Sequence, residues 1–223
     1  MKQTIIRKLK EFTLIRGGVY RYRRFKSRFN YISGSGNIIQ NHAVFQGSKI
    51  QVSGDNNTIV FENGSVILNA KIKVNGNNCM IVLHKGAYLL GTEIYCEDDN
   101  LKLEIGHDTY ISASHLAITE GRTLSIGNNC MLADHIQIRT GDSHSIVSKD
   151  NGKRINPANN VRIGNHCWIG EGAKIMKGVQ LEDDTIVSTG AIVTKSFPGS
   201  TLVGGVPARV IKENVTWDES RKI

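Results

Sequence analysis

The sequence predicts an all-β fold, a parallel solenoid whose short strands wind into triangular coils, with a helical basic arm before it and one polar loop set into it. Three observations carry that prediction. Ile163, Ile169, Ile175, Leu181, Val187 and Val193 recur every six residues, with the compact Cys167, Ala173, Val179, Thr185 and Ala191 at the fifth place of each unit. A period of six is neither helical nor alternating; it marks three short strands per coil, with stacked coils burying an aliphatic column. Upstream the frames lengthen: Phe61, Leu83 and Ile105 are spaced by 22, and Ile126 follows after 21. Between Arg139 and Arg162 the period breaks.

In chain order, residues 1–30 form the first unit. Ile5, Ile6, Leu9, Phe12 and Leu14 fall at roughly helical spacing among lysines and arginines, which predicts a short amphipathic helix ended by Gly17 and Gly18. Tyr20, Tyr22, Phe25 and Phe29 then alternate with arginines. Such an arm suits capping of the first coil, and its charge also suits anionic headgroups, a peripheral membrane contact, or a polyanionic substrate. Residues 31–195 form the β-helix domain of about six coils between Phe45 and Thr194, with Gly and Asn clusters at the corners and a loop excursion over 140–162. That excursion is rich in Asp, Ser, Asn, Lys and Gly and lacks a six-residue aliphatic repeat. A rigid solenoid that tolerates one long polar loop places chemistry there. Residues 196–223, rich in turn signals at Pro198, Gly199, Gly204, Gly205 and Pro207, form a tail folding on the last coil.

Composition narrows the function. The net charge is +8, yet residues 1–30 hold ten Lys/Arg and one Glu, leaving 18 basic and 19 acidic side chains elsewhere. A nearly neutral body without a recognised binding motif argues against nucleic acid as a partner. Cys79, Cys96, Cys130 and Cys167 sit inside repeat units rather than in a CxxC pair, so they read as small buried groups in a reducing compartment. With no apolar run of membrane-spanning length and a highly charged start, a soluble cytoplasmic protein is expected.

The sequence contains no GxSxG elbow, HExxH helix, phosphate-binding GxxxxGK[ST] loop or GxGxxG turn. Of seven histidines only His144 lies in the excursion, flanked by Asp142, Ser143 and Ser145. An imidazole near neutral pKa is the natural general base for a hydroxyl or amine attacking a thioester. Asp142 or Asp150 is the candidate to orient it. The other six histidines read as corner or stacking residues. No metal site is expected, since a tight His-x4-His pair is missing.

The segment Ile126 to Lys212, with IGNHCWIGEGAKIMKGVQLEDDTIVSTGAIVTK followed by GGVPARVIK, resembles the hexapeptide-repeat acyltransferases. It resembles especially the sugar O-acetyltransferases that include maltose and galactoside acetyltransferases and enzymes acting on capsular polysaccharide, sialic-acid polymers and lipopolysaccharide. The resemblance implies a left-handed β-helix; handedness does not follow from spacing, because parallel crossovers are normally right-handed. It implies acetyl-CoA as co-substrate and direct transfer in a ternary complex, with His144 as the base. It places Trp168 beside the pantetheine arm or acceptor, Gly170, Thr189 and Gly190 along that arm, and Lys195, Arg209 and Lys212 near the nucleotide phosphates. It further implies a homotrimer with active sites between subunits and a bacterial surface glycan as acceptor. The first hundred residues depart from the maltose-type pattern, so the acceptor is the least determined part. N-acetylation of an amino sugar or a serine-type acceptor is the main alternative. A non-catalytic solenoid and a metal-dependent β-helix hydratase are the remaining ones.

Overall fold

The computed structural model describes residues 31–220; the basic arm, with its expected helix, lies outside the described residues. The chain forms three parallel sheets that are the faces of a triangular prism. Face A contains the strands Lys49–Ser53, Lys71–Asn75, Glu93–Glu97, His115–Thr119 and Gln137–Arg139; face B begins each coil's second side, as at Thr58–Phe61; face C its third, as at Val66–Leu68. Six full coils run from Lys49 to Val187. A further one, Tyr31–Gln46, precedes the stretch in which the repeat is legible. Ile192–Val193 and Thr201–Gly205 continue faces A and C beyond them, and Ala208–Glu213 folds back antiparallel on Thr201–Gly205.

The six-residue aliphatics are the prism's core. Ile163, Ile169, Ile175, Leu181, Val187 and Val193 are all at most 1% exposed, each stacked on its counterpart one coil away, as Ile126 on Ile163 and Leu132 on Ile169. Burial of each such side chain contributes roughly 1.5–3 kcal/mol, and it is achieved only between coils. The fifth-place residues turn the corners: Cys167 and Ala173 are fully buried there. All four cysteines are free and buried. Corner stacking also dictates glycine. At Gly54, with φ +130, a Cβ would lie 2.2 Å from the Gly76 carbonyl oxygen.

The edges are laced by side-chain ladders. On the A–B edge, Asn57 donates to the Gly76 carbonyl at 2.9 Å and accepts from the Cys79 amide at 2.9 Å. On the B–C edge His84 lies between two carboxylates, Nδ1 at 3.0 Å from Glu62 and Nε2 at 3.0 Å from Glu104, and its ring packs 4.9 Å from His107. Burial works against its protonation, but the bonds to Glu104 and Glu62 outweigh burial and raise its pKa. For Glu62, burial is likewise outweighed, by bonds from the Lys85 amide and His84, so its pKa falls; Glu104 is lowered by Lys102 and then His84. A raised histidine stabilises fully below its unfolded pKa of about 6.5 and loses that contribution as pH rises through the folded value; lowered glutamates stabilise above about 4.3 and lose it in acid. The ladder therefore stabilises most between those limits. For His84→Gln, the unfolding midpoint measured in urea will drop most near pH 5.5 and least above pH 8; an equal drop at both would show that the ladder carries no charge pairing.

The outer surfaces of the faces differ in kind. Face A presents lysines and glutamates. Face C presents, in one register, Val44, Val66, Tyr88, Tyr110, Met131, Trp168, Ile186 and Leu202, an apolar ladder along the whole prism.

Candidate active site

The excursion, residues 140–160, leaves face A after Arg139 and rejoins face B at Val161. The strands flanking it keep the coil register, Ala117 opposite Arg139 and Leu124 opposite Val161. The loop doubles back on itself, with the Ser148 amide bonded to the Lys153 carbonyl at 2.9 Å and the Ile155 amide to the Ile146 carbonyl at 2.8 Å. Its hub is Asn156, only 6% exposed. Asn156 Nδ2 donates to the His144 carbonyl and to Asp142 Oδ2, both at 2.8 Å, while its Oδ1 accepts from the Ile146 amide at 2.6 Å and from Arg154 Nε at 3.2 Å. Arg154 in turn forks onto Glu120 with bonds of 2.9 and 2.6 Å. Lys177 bonds to Asp142 and, at 3.0 Å, to the Asn156 carbonyl. Glu120 and Lys177 sit on the A–B edge of the coils before and after, so the loop is clamped along that edge.

His144 is thereby held by its backbone, and its ring, exposed to solvent, has no hydrogen-bond partner among the described residues. The expectation that Asp142 orients the imidazole is corrected. Its carboxylate is committed to Lys177 and Asn156, and the Lys177 ammonium holds its pKa below the usual carboxylate range. Asp142 anchors the loop instead. Asp150, near the exposed hairpin tip, bonds through its amide to Ser148 Oγ at 3.2 Å.

Trp168 lies on face C, between Met131 and Ile186, and is 41% exposed. On a triangular prism the A–B edge is opposite face C, so a single chain separates His144 from Trp168. Gly170, Thr189 and Gly190 come together on the C–A edge, where a Cβ on Gly170 would lie 2.6 Å from the Thr189 amide nitrogen. Nothing lies within 4 Å of where a Cβ would stand on Gly172 or Gly190, so this edge presents bare backbone, which fits an extended amide-bearing arm such as pantetheine. Lys195 lies beyond face A on the A–B edge, its Nζ 5.5 Å above the Phe197 ring. Arg209 and Lys212 lie exposed on the terminal antiparallel strand. The proposed cationic positions thus fall on two parts of the last turn.

A second arrangement had no sequence signal beyond its corner position. His166 Nδ1 bonds to Asp184 Oδ1 at 2.7 Å, its ring stacks on Trp217 at 4.7 Å, and Trp217 Nε1 donates to the His166 carbonyl at 2.7 Å. It clasps the C-terminal segment beside Trp168, whose ring is 6.2 Å from Trp217. Among the described residues, no three His, Cys, Asp or Glu side chains are grouped to hold a metal ion, and no helix is long and apolar enough to cross a membrane.

A prism of three parallel sheets wound from six-residue repeats is the architecture of the hexapeptide-repeat transferases. The bacterial transferase hexapeptide family (six repeats) matches residues 160–195. The polysialic acid O-acetyltransferase of Escherichia coli O1:K1 / APEC is 34% identical over 121 residues, 54% of this chain and 39% of that protein. That of Neisseria meningitidis is 34% identical over 116 residues, 52% of this chain and 54% of that protein. The chain thus spans about half the length of the curated relatives it matches or less. Against the crystal structure of the polysialic acid O-acetyltransferase OatWY the TM-score is 0.83 at 30% identity, covering 87% of this chain and 93% of the other. The chain belongs to the hexapeptide-repeat transferase family.

Proposed function

We propose that this chain is an acetyl-CoA-dependent O-acetyltransferase acting on a hydroxyl of an acidic bacterial surface glycan, a sialic-acid polymer being the first candidate. One observation carries the reading: an exposed imidazole on a clamped excursion, in a fold whose similar proteins are polysialic acid O-acetyltransferases. His144 removes the proton of the acceptor hydroxyl as that oxygen attacks the thioester carbonyl. The acetyl carbon–sulfur bond breaks, and the imidazolium gives the proton to the departing thiolate, which leaves as the free CoA thiol, so transfer is direct and leaves the protein unchanged. Bare backbone on the C–A edge at Gly170, Gly172, Thr189 and Gly190 would hold the pantetheine arm, and Lys195, Arg209 and Lys212 the phosphates.

Because His144 and Trp168 stand on opposite sides of one prism, the working unit is a closed ring of copies, a homotrimer, in which the A–B edge of one protomer faces the apolar face C of the next. Burial of the Tyr88, Tyr110 and Met131 ladder would drive that assembly. The test is release of free CoA thiol across a panel of sialic-acid polymer, its monomer, neutral polysaccharides, amino sugars and serine. Turnover should be fastest with the polymer. Faster turnover with an amino sugar or serine would move the acceptor from oxygen to nitrogen or to a small molecule, and thiol release with none of them would reject the reading.

A further inference from the structure

We infer that the outer surface of face A is an extended binding groove for an acidic polysaccharide, leading along the prism to the excursion that bears His144; the identity of the polymer rests on the reading above. Alternation along each strand turns every second side chain outward, and the register sets these side chains into rows. One row runs Lys49, Lys71, Glu93, His115, Gln137 and Lys174, and its neighbour runs Gln51, Lys73, Tyr95, Ala117 and Arg139. Five cations face two carboxylates, Glu93 and Glu97, on a chain whose body is otherwise close to neutral. Cations thus outnumber carboxylates on this face although the body as a whole carries no positive excess.

The stripe is long and shallow. From Lys49 to Lys174 it crosses six strands, whose spacings of about 4.8 Å add to about 24 Å, the length of several sugar residues and far more than one small acceptor needs. Its middle is a hollow lined by Lys49, Lys71, Lys73, Glu93, Tyr95 and His115, in which Lys71 pairs with Glu93 at 3.8 Å and Lys49 and Lys73 add two further cations. Lys73 Nζ lies 5.3 Å from the Tyr95 ring centroid, which leaves an amphipathic floor able to take a pyranose ring beside a cation. His115 adds an independent sign of a ligand. Its Nδ1 is buried and lacks a hydrogen-bond partner among the described residues, on the wall of this hollow. A buried ring nitrogen without a partner is a cost to the fold, which a ligand hydroxyl would offset once the ring turns toward the hollow.

Arg139 closes the argument. It is the last residue of its face A strand and the next residue begins the excursion, so a polymer lying on the stripe is delivered toward His144 of the same chain. Lys49, Lys71 and Lys73 lie three or four coils away and touch none of the proposed machinery. They act on the chain of sugars, not on the reacting hydroxyl.

The experiment compares the full chain with its K49Q/K71Q/K73Q variant, reading anisotropy of an end-labelled sialic-acid polymer of defined length. Affinity should fall about tenfold at low salt and the two proteins should converge at high salt. The polymer KM should rise in parallel while kcat, and turnover of the monomer, stay the same. Equal polymer affinity in parent and variant would overturn the inference, as would a neutral polysaccharide of the same length binding the parent equally well. A single-stranded oligonucleotide displacing the polymer at lower concentration would assign the face to nucleic acid and overturn it too. Binding is read without turnover, so a chain that binds polymer through these lysines but transfers no acetyl group would reject the acetyltransferase reading and leave the groove in place.

Discussion

Replacing His144 by alanine will lower kcat by roughly 10²- to 10⁴-fold, the range of a lost general base, while the KM for acetyl-CoA changes little. At the middle of that range the loss corresponds to about 4 kcal/mol of transition-state stabilisation. The residue is well suited to so clean a test, since its ring is exposed and only its carbonyl is bonded to Asn156, so truncation removes chemistry and spares the loop. Trp168→Ala will also be impaired, because a substrate displaced by about an ångström costs up to about 10²-fold. The separation of the two residues on one prism makes a sharper prediction. Co-expressed His144→Ala and Trp168→Ala chains will assemble at random so that about a quarter of all sites pair an intact histidine with an intact tryptophan, and activity will rise far above that of either variant alone. A mixture no more active than its parts would place the whole site within one chain.

Asn156→Ala should cost nearly as much activity, about 10²-fold in kcat, with the coils unaffected. The substitution leaves the Ile146 amide without its acceptor, removes one of the two bonds to the Asp142 carboxylate, which keeps Lys177, and frees the His144 carbonyl. The loss stays local because the strands flanking the loop pair with neighbouring coils and not with the loop itself. Trypsin will reveal the opening, cutting after the exposed Lys149 and Lys153 faster in the variant, while the urea unfolding midpoint holds. If turnover and cleavage both match the parent, Asn156 does not position the base.

The scaffold was legible because its period is a direct consequence of packing. Each inward aliphatic from Ile163 to Val193 must meet its counterpart one coil away, so spacing alone reveals the prism, and the break after Arg139 reveals the excursion. What holds that excursion was not legible. Glu120 is 34 residues from Arg154, and Lys177 is 21 from Asn156 and 35 from Asp142, and only the winding of the coils makes them neighbours. Asp142 misled for the same reason: two residues from His144 in sequence, its carboxylate is drawn off by a lysine on the next coil. The apolar ladder of face C was visible in principle, since Tyr88, Tyr110, Met131 and Trp168 each stand one place before an inward aliphatic. That outward position carries no meaning until the face is known to be continuous.

The coil-by-coil register has a modular consequence. Residues 71–92 form one complete turn whose 22-residue length matches the turns on either side, with Lys49, Lys71 and Glu93 in one column. Excising that turn, or duplicating it, changes the prism by about 4.8 Å without touching the late coils that carry the loop and Trp168. The length of the early solenoid is therefore a gauge set independently of the chemistry, and on the proposed reading it would fix how many sugars of a polymer lie on the protein while one of them reacts.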